Sequence, residues 1–368
     1  MYLETSPRIR RSPYYDSTIA AGASAWTVYN KMWMPMAYGD AEAEYNRLLN
    51  GVAMWDVASE RQVQIEGPDA AVCAQYLSSR DLSKMVEGQG KYVAMCDHDG
   101  RILNDPVLLK LSGNRFWFSL ADSDMLLWCK AVAAERGFDV AVTEPDVSPL
   151  AVQGPLAEDV VADLFGDGIR SLKYFWFSET NLHDIPLVVC RSGWSKQGGF
   201  ELFLQDGERG AELWNRVADA GASYGIGPGA PNAVERVESG LLSWGGDTTP
   251  DSNPYEAMMG KYVNPAIEAD FIGKAALARI AEEGPARLMV GLVIPDGGSG
   301  MVRTDARTPI RQAGAQVGML SAMVRSPRLG EVIGIAQISS EVVKAGEPVE
   351  VEGSDGPMQA QIHPLPFL

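Results

Sequence analysis

The feature that most constrains the fold is the order of strand and helix patterns along the chain. Between residues 57 and 146 the pattern is strand, helix, three strands, helix and strand, and a similar order recurs over about 148–224 without a clear sequence repeat. From about residue 287 only strand patterns remain, separated by glycine and proline. This order predicts two α+β units followed by an all-β module.

Caps and turns indicate several boundaries within these units. Residues 41–50 predict a helix, and a second helix pattern ends at Gly137. The turn sequence at 97–100 predicts a hairpin between the strand patterns on either side, and 232–244 predicts one amphipathic helix. The glycine run at 225–230 has the letters of a dinucleotide-binding fingerprint. A helix pattern precedes it and a proline follows, so it predicts a loop instead.

Net charge and apolar content restrict the class of partner. The 31 basic and 48 acidic side chains give a net charge of −17, which argues against nucleic acid and anionic membrane surfaces. No run approaches the roughly 18 consecutive apolar residues of a spanning helix. An anionic small molecule is not excluded, because a pocket can be locally positive.

Cysteine and histidine usage bears on redox state and metals. The cysteines are Cys73, Cys96, Cys129 and Cys190. They form no C-x-x-C pair, and the three histidines add no ligand cluster, so we expect reduced core thiols, no metal and a cytoplasmic location. Arg10-Arg11 could open a twin-arginine signal, but no apolar stretch follows, so no signal peptide is expected.

Asp105 is the carboxylate that the strand pattern singles out. Leu103, Val107 and Leu109 predict an apolar face, and Asp105 falls on the same face by the period of two. An inward carboxylate costs free energy unless it is paired or used. A structural ion pair and a functional role both remain open at this point.

Aromatic and methionine side chains cluster near the N-terminus. The members are Trp26, Tyr29 and Trp33 with Met32, Met34 and Met36. Core packing is one interpretation. The other is a binding wall for a methylated cation, because sulfonium and quaternary ammonium ions bind well over aromatic rings.

Seven short motifs, in their order along roughly 25–345, resemble the folate-dependent aminomethyltransferase family of the glycine-cleavage T-protein. The motifs are GRILND (100–105), LAVQGP (150–155), RSGW (191–194), GFEL (199–202), ERVESG (235–240), NPYEA (253–257) and FIGK (271–274). The resemblance implies an α+β cloverleaf of three domains around a central folate channel. The implied domains are a discontinuous first lobe (1–56 with 147–280), an inserted lobe carrying Asp105 (57–146) and a C-terminal β module (281–368).

The resemblance also implies roles for single residues. Asp105 matches the catalytic aspartate, and Glu201 matches the carboxylate that binds the pterin. Trp194 lies beside that pocket, and Arg236 is a further folate-binding candidate. From the helical pattern alone, Arg236 and Glu238 lie off the apolar stripe of 232–244 and predict surface or interdomain charges.

Departures from the T-protein pattern point to one branch of the family. DVASERQ stands at 56–62 where T-proteins have a D-V-S-H-M pattern, and Asn104 replaces the first of two aspartates. At these positions the chain is similar to the dimethylsulfoniopropionate demethylases. They imply a tetrahydrofolate-dependent demethylase of a small methylated substrate, with 3-methylthiopropionate and 5-methyltetrahydrofolate as products.

For that substrate, Trp26, Tyr29 and Trp33 are the expected wall for the sulfonium, and Lys31 is the expected partner of the carboxylate. Three alternatives stay open. They are demethylation of another N- or O-methylated compound, aminomethyl transfer with a lipoyl carrier protein, and non-catalytic folate binding. A homodimer is also left open.

Overall fold

The computed structural model describes residues 6–295, 307–353 and 356–368. In this part of the chain the α-helices are α1 (Tyr15–Ala20), α2 (Ala41–Asn50), α3 (Ala70–Leu77), α4 (Leu126–Arg136), α5 (Ala157–Phe165), α6 (Gly210–Gly221), α7 (Ala233–Glu238), α8 (Lys274–Glu283) and α9 (Ser340–Ala345). Short 3-10 helices lie at Asp167–Ser171, Gly207–Arg209, Ala222–Tyr224 and Gly260–Tyr262. The strands are β1 (Ala25–Tyr29), β2 (Met32–Ala37), β3 (Ala53–Asp56), β4 (Gln62–Glu66), β5 (Gln89–Tyr92), β6 (Met95–Cys96), β7 (Ile102–Asn104), β8 (Val107–Ser112), β9 (Arg115–Ser119), β10 (Ala141–Thr143), β11 (Ser148–Gln153), β12 (Phe177–Leu182), β13 (Ile185–Cys190), β14 (Gly199–Leu204), β15 (Gly227–Gly229), β16 (Arg287–Ile294), β17 (Thr308–Gln312), β18 (Ala315–Arg325), β19 (Val332–Ser339), β20 (Val349–Gly353) and β21 (Gly356–His363).

The chain forms two compact units, and each draws on separate stretches of sequence. The first unit comprises Met1–Ala74, Leu82–Tyr92 and Pro106–Asn232. The second unit comprises Gln75–Asp81, Val93–Asp105 and Ala233–Leu368. The division into three lobes at residues 56, 146 and 280 stays a prediction.

A six-stranded sheet organises the first unit, in the order β12-β13-β14-β11-β3-β15. Strand β3 precedes the 57–146 segment and β11 follows it, and the two pair antiparallel. That segment is therefore inserted between neighbouring strands. One face of the sheet joins α5 and α6 in an apolar cluster that includes Leu150, Leu202, Val160 and Leu213. Burying each such side chain contributes roughly 1.5–3 kcal/mol to the stability of the fold.

The opposite face of this sheet packs on a second sheet, in the order β10-β4-β9-β8-β5. Val188 and Phe203 of the first sheet cluster there with Leu109 and Trp117 of the second. The predicted helix end at Gly137 is confirmed. This residue follows α4 with a φ of 68°, and its N–H donates to two carbonyls of the last turn.

The second unit contains the predicted all-β module, which is a closed barrel in the order β16-β19-β18-β17-β20-β21. Its interior is an apolar cluster that includes Leu292, Ile310, Leu320 and Ile338. The sequence pattern indicated β16, β18, β19 and β20, whereas β17 and β21 were not expected. These two strands pair with β18 and β20 and complete the barrel.

The hairpin predicted at the 97–100 turn is confirmed, because the turn joins β6 to β7 and the flanking strands β5 and β8 pair antiparallel with each other. Two other local predictions are wrong. The helix predicted over 232–244 ends at Glu238, and Gly240 follows with a φ of 62°. The glycine run expected as a loop contains β15, which pairs in parallel with β3.

Candidate functional site

Glu201 lies in the middle of β14 with its side chain buried. Its cross-strand neighbours are Ala151 and Cys190. Only 7% of the residue is exposed, and its carboxylate accepts a hydrogen bond from the Ser192 hydroxyl. Burial raises the pKa of the Glu201 carboxyl above its ordinary value, and the Ser192 hydrogen bond opposes that rise. A carboxylate has about four lone-pair sites, so it can accept further N–H donors.

A buried glutamine, Gln153, holds the loop that supplies Ser192. Its Nε2 donates to the Ser192 carbonyl at 3.0 Å, and its Oε1 accepts from the Ser195 hydroxyl at 2.8 Å. The LAVQGP and RSGW motifs therefore meet beside Glu201. Gln153 and Ser192 belong to these motifs but were not predicted as site residues. The feature that could have indicated them is a polar side chain inside an otherwise apolar or glycine-containing motif.

Two glycines let this loop pass over Gln153. A Cβ at Gly193 would lie 2.0 Å from the Gln153 Nε2 atom, and one at Gly199 would lie 2.5 Å from it. Both glycines also have positive φ values, of 144° and 149°, which L side chains rarely adopt. Trp194 is half-buried in the same loop. The loop geometry therefore requires glycine on both sides of the segment that carries Trp194 and Ser195.

Asp105 follows β7 in the second unit and is half-buried. The inward face predicted for it is wrong. Ile102 and Asn104 are buried here, at 1% and 0% exposure, whereas Leu103 is half-buried like Asp105. The strand ends at this point because Pro106 has no N–H for a ladder. Asp105 thus lies at a strand end, where a carboxylate keeps partial access to its surroundings.

Arg236 lies on α7 and pairs with a buried carboxylate of its own unit. Its Nη1 is 2.8 Å from Oδ2 of Asp247, whose side chain is completely buried. Of the two interpretations for Glu238, a surface or an interdomain charge, the surface one is wrong, because this residue is 0% exposed. Glu238 accepts hydrogen bonds from the Ser326 hydroxyl at 2.5 Å and from the Arg328 guanidinium. The folate-binding role of Arg236 stays a prediction.

The three aromatic residues of the N-terminal cluster lie on the hairpin of β1 and β2. Trp26 is opposite Pro35 in the register. Tyr29 is opposite Met32. Because successive strand residues point to opposite faces, Trp26 and Trp33 share one face and Tyr29 lies on the other. The structure therefore groups the two tryptophans and separates the tyrosine from them.

The turn of this hairpin docks after the end of β9. Asn30 is 5% exposed, and its side-chain amide donates to the Ala121 carbonyl at 2.8 Å. Its backbone N–H donates to Asp122 Oδ1 at 2.7 Å. Lys31 lies 2.9 Å from Asp124 Oδ2. The cation predicted to meet the substrate carboxylate therefore already has an anionic partner.

Asp56, which ends β3, is a buried carboxylate that the sequence analysis missed. It is 3% exposed and accepts from the Ser12 hydroxyl at 2.5 Å and from the Ala58 N–H at 3.2 Å. Burial raises the pKa of Asp56 to about 6, although both hydrogen bonds lower it. Ser12 lies 44 residues away along the chain, so nothing in the local sequence indicates this contact.

The described residues contain neither a candidate metal site nor a helix that could cross a membrane. Over 6–295, 307–353 and 356–368, no three His, Cys, Asp or Glu side chains are grouped so that they could hold a metal ion. In the same ranges, every helix falls short of the length and apolar character needed to cross a membrane.

Two family models match most of the chain. The GCVT N-terminal domain matches residues 14–266, and the glycine cleavage T-protein C-terminal barrel domain matches residues 287–368. The chain belongs to the glycine-cleavage T-protein family. Membership confirms the predicted α+β fold with a C-terminal β module. It also confirms the expectation of a tetrahydrofolate-dependent enzyme that transfers a one-carbon group.

Individual relatives cover nearly the whole chain. A dimethylsulfoniopropionate demethylase from Ruegeria pomeroyi is 45% identical over 351 residues, which are 95% of each protein. An aminomethyltransferase from Bacillus pumilus is 30% identical over 367 residues, which are 98% of each protein. The crystal structure of the glycine cleavage system aminomethyltransferase T from Bartonella henselae has a TM-score of 0.86, with 24% identity and 98% of each chain covered. This last likeness shows that the two proteins share a fold.

Proposed function

We propose that the protein is a tetrahydrofolate-dependent demethylase of dimethylsulfoniopropionate. It moves one methyl group to tetrahydrofolate and releases 3-methylthiopropionate and 5-methyltetrahydrofolate. The observation that carries the proposal is the 45% identity, over 95% of both proteins, to a relative named for this demethylation. The aminomethyltransferase from Bacillus pumilus is 30% identical over a similar extent, so the methyl-transferring relative is the nearer of the two.

The sulfonium substrate is already activated for methyl transfer. Its carbon–sulfur bond breaks with the electron pair left on sulfur, so a charged sulfonium leaves as a neutral thioether. Tetrahydrofolate, when bound, would supply its N5 nitrogen as the methyl acceptor and would release the N5 proton. The remaining task of the protein is to align donor and acceptor, an effect worth up to roughly 7–11 kcal/mol of the barrier.

Glu201, Trp194 and Arg236 are the residues that would hold the folate. The donor set of a pterin fits Glu201, because a pterin edge presents N–H donors and this buried carboxylate can accept more than the Ser192 hydrogen bond. Such charge-assisted hydrogen bonds are roughly twice as strong as neutral ones. Trp194 offers an aromatic face in the loop that supplies Ser192.

Asp105 is the proposed catalytic residue, and the tryptophans of the hairpin are proposed to bind the methyl donor. A fixed carboxylate stabilises positive charge that develops as the methyl group is transferred. Trp26 and Trp33, on one face of their hairpin, offer rings to the sulfonium, each worth about 0.5–2 kcal/mol. Tyr29, on the other face, and Lys31, paired with Asp124, complete the proposed substrate residues.

A panel of methyl donors tests this function. Purified protein is incubated with tetrahydrofolate and dimethylsulfoniopropionate, glycine betaine or a methoxy compound, and 5-methyltetrahydrofolate is measured by chromatography. We expect rapid turnover of the sulfonium and little of the betaine, whose amine is a poorer leaving group. Turnover of only an N- or O-methyl compound would replace the substrate, and dependence on a lipoyl carrier would indicate aminomethyl transfer. Folate binding without turnover of any donor would indicate a binding protein.

We also propose a location and an assembly for the protein. All four cysteines are unpaired and buried, which supports a reducing compartment such as the cytoplasm. A homodimer is proposed without an interface assigned to it. Cell fractionation tests the first proposal, and sedimentation velocity of the purified protein tests the second.

A further inference from the structure

Glu201 belongs to a row of four side chains that crosses one face of the six-stranded sheet. Ala151 lies opposite Glu201 on one side and opposite Trp55 on its other side. Cys190 lies opposite Glu201 on the neighbouring strand β13. Burial raises the pKa of the Cys190 thiol well above its ordinary value, so this thiol stays uncharged. The carboxylate of Glu201 therefore has only uncharged neighbours within this row.

The two oxygens of the Glu201 carboxylate have different surroundings. Oε2 accepts the hydrogen bond from the Ser192 hydroxyl. Oε1 has no hydrogen-bond partner among the described residues, but it is not closed off from solvent. One oxygen is thus committed to the protein, and the other is accessible to a ligand.

Ser192 is held on both sides of its backbone. Its N–H donates to the Cys190 carbonyl at 3.0 Å, and its carbonyl accepts from Gln153 Nε2, also at 3.0 Å. Gln153 in turn accepts from the Ser195 hydroxyl at 2.8 Å. All three polar residues are buried. The Ser192 hydroxyl therefore reaches Glu201 from a fixed backbone position.

A fixed donor matters for a glutamate because its terminal torsion is broad, and a carboxylate without a hydrogen bond turns easily. A hydrogen bond to one oxygen restricts that rotation and so sets the direction of the other oxygen. The same bond favours the charged form of the carboxyl group, against the effect of burial. Orientation and charge both determine how well a carboxylate accepts N–H donors from a ligand.

We propose that Ser192 is a positioning residue for Glu201, whose hydroxyl holds Oε2 so that Oε1 meets the N–H donors of the pterin edge. Gln153 and Ser195 hold Ser192 in place. The inference rests on the proposed function to the extent that Glu201 is the carboxylate that binds folate. Ser192 itself need not touch the folate.

A double-mutant cycle tests this role by calorimetric titration with tetrahydrofolate under anaerobic conditions. We expect Ser192→Ala to weaken binding about 10-fold, the lower end of the range for a hydrogen bond to a charged group. In a Glu201→Ala background the same change should alter the affinity by less than about 2-fold, because the carboxylate through which Ser192 acts is absent. An equal loss in both backgrounds would overturn the proposal.

Two single variants serve as controls. Ser192→Thr keeps a hydroxyl donor and should bind within about 3-fold of the wild type. Ser340→Ala should bind as the wild type does. Ser340 is also a buried serine, but it lies in the second unit and donates to the Pro285 carbonyl at 2.5 Å. An equal loss in Ser192→Thr and Ser192→Ala, both with the wild-type melting temperature, would contradict the role of the hydroxyl. So would an equal loss in Ser340→Ala.

Steady-state kinetics separate positioning from a general loss of structure. Ser192→Ala should raise the KM for tetrahydrofolate about 10-fold and leave kcat within about 3-fold, because binding is weakened and the reacting atoms are not touched. A lower kcat with an unchanged KM would overturn the proposal. If Ser192→Ala does not fold, Ser192→Cys takes its place, because a thiol is a weaker donor than a hydroxyl.

The outcomes also separate this proposal from the proposed function. Wild-type affinity in Ser192→Ala, together with weak binding by Glu201→Ala, would overturn the role of Ser192 alone. Wild-type affinity in Glu201→Ala would remove that carboxylate from the folate site and overturn the role of Ser192 with it. Should the wild type bind tetrahydrofolate but transfer no methyl group, the proposed demethylase function fails while the cycle still decides on Ser192.

Discussion

Replacing Asp56 with asparagine should raise the free energy of unfolding above pH 6 and leave it unchanged near pH 4. Burial raises the pKa of Asp56 from 3.8 to about 6 in the folded protein. Between these values the folded state binds more protons than the unfolded state, so the Asp56 contribution to stability falls as pH rises. At about 1.4 kcal/mol per pH unit, the full loss is about 3 kcal/mol. Asparagine keeps the shape and can still bond Ser12 and the Ala58 N–H, but it has no charge to bury.

Urea unfolding of both proteins from about pH 4 to 7.5 measures this difference. The wild-type midpoint includes every other titrating group, so only the difference between the two curves reports on Asp56. That difference should grow across pH 4–6 and then level off at up to about 3 kcal/mol. The control is Asp16→Asn, because Asp16 is exposed on α1. Parallel curves for Asp56→Asn and wild type at every pH would refute the assignment of a buried, destabilised charge.

Three further predictions concern the proposed site. Glu201→Ala should weaken tetrahydrofolate binding by about 1.5–3 kcal/mol, because a charge-assisted acceptor is removed, and unchanged affinity in calorimetry would take Glu201 out of the site. Asp105→Asn should lower kcat by about 10²–10³ with the melting temperature intact, whereas normal turnover in a less stable protein would indicate a structural role. Gly193→Ala should displace the Trp194 loop, because its Cβ would lie 2.0 Å from Gln153, and weaken folate binding more than Gly198→Ala, where nothing lies within 4 Å. Equal affinities in the two glycine variants, measured by tryptophan fluorescence, would count against that loop.

Local sequence patterns predicted a helix correctly where its ends are determined by capping residues within or next to it. The helix over 41–50 lies as expected, with Asp40 accepting from the Ala43 N–H at its start. The end of α4 follows from the glycine that can adopt a left-handed conformation. By contrast, β15 consists of Gly-Pro-Gly and has no side-chain pattern. It forms because β3 supplies a parallel partner. Gly229 lies close to Trp55, and a Cβ at Gly229 would lie 2.9 Å from the Trp55 Nε1 atom.

Long-range pairing explains the errors in the site. Glu238 was expected as a surface or interdomain charge because it lies off the apolar stripe of the predicted helix, yet it is buried and pairs with Arg328, 90 residues later. The period of two placed Asp105 on the same face as Leu103, and both are half-buried, but the buried face here is that of Ile102 and Asn104. Glu201 was predicted from its motif and stays a prediction, whereas Gln153, whose contact with Ser192 spans 39 residues, needed the fold.

Asn104 connects the departure from the T-protein pattern to the chemistry proposed here. It is completely buried, in the position where the family pattern has the first of two aspartates. A second carboxylate there would add a buried negative charge next to Asp105, and two neighbouring like charges oppose each other's ionisation. A neutral amide leaves Asp105 as the single charge of that pair. Under the proposed function one charge is sufficient, because a sulfonium leaves as a neutral thioether and needs no acid to protonate it. An aminomethyl group passes on its carbon and releases its nitrogen as ammonia, for which a proton donor is useful. The replacement of one carboxylate by an amide therefore favours methyl transfer from a cation that is already activated.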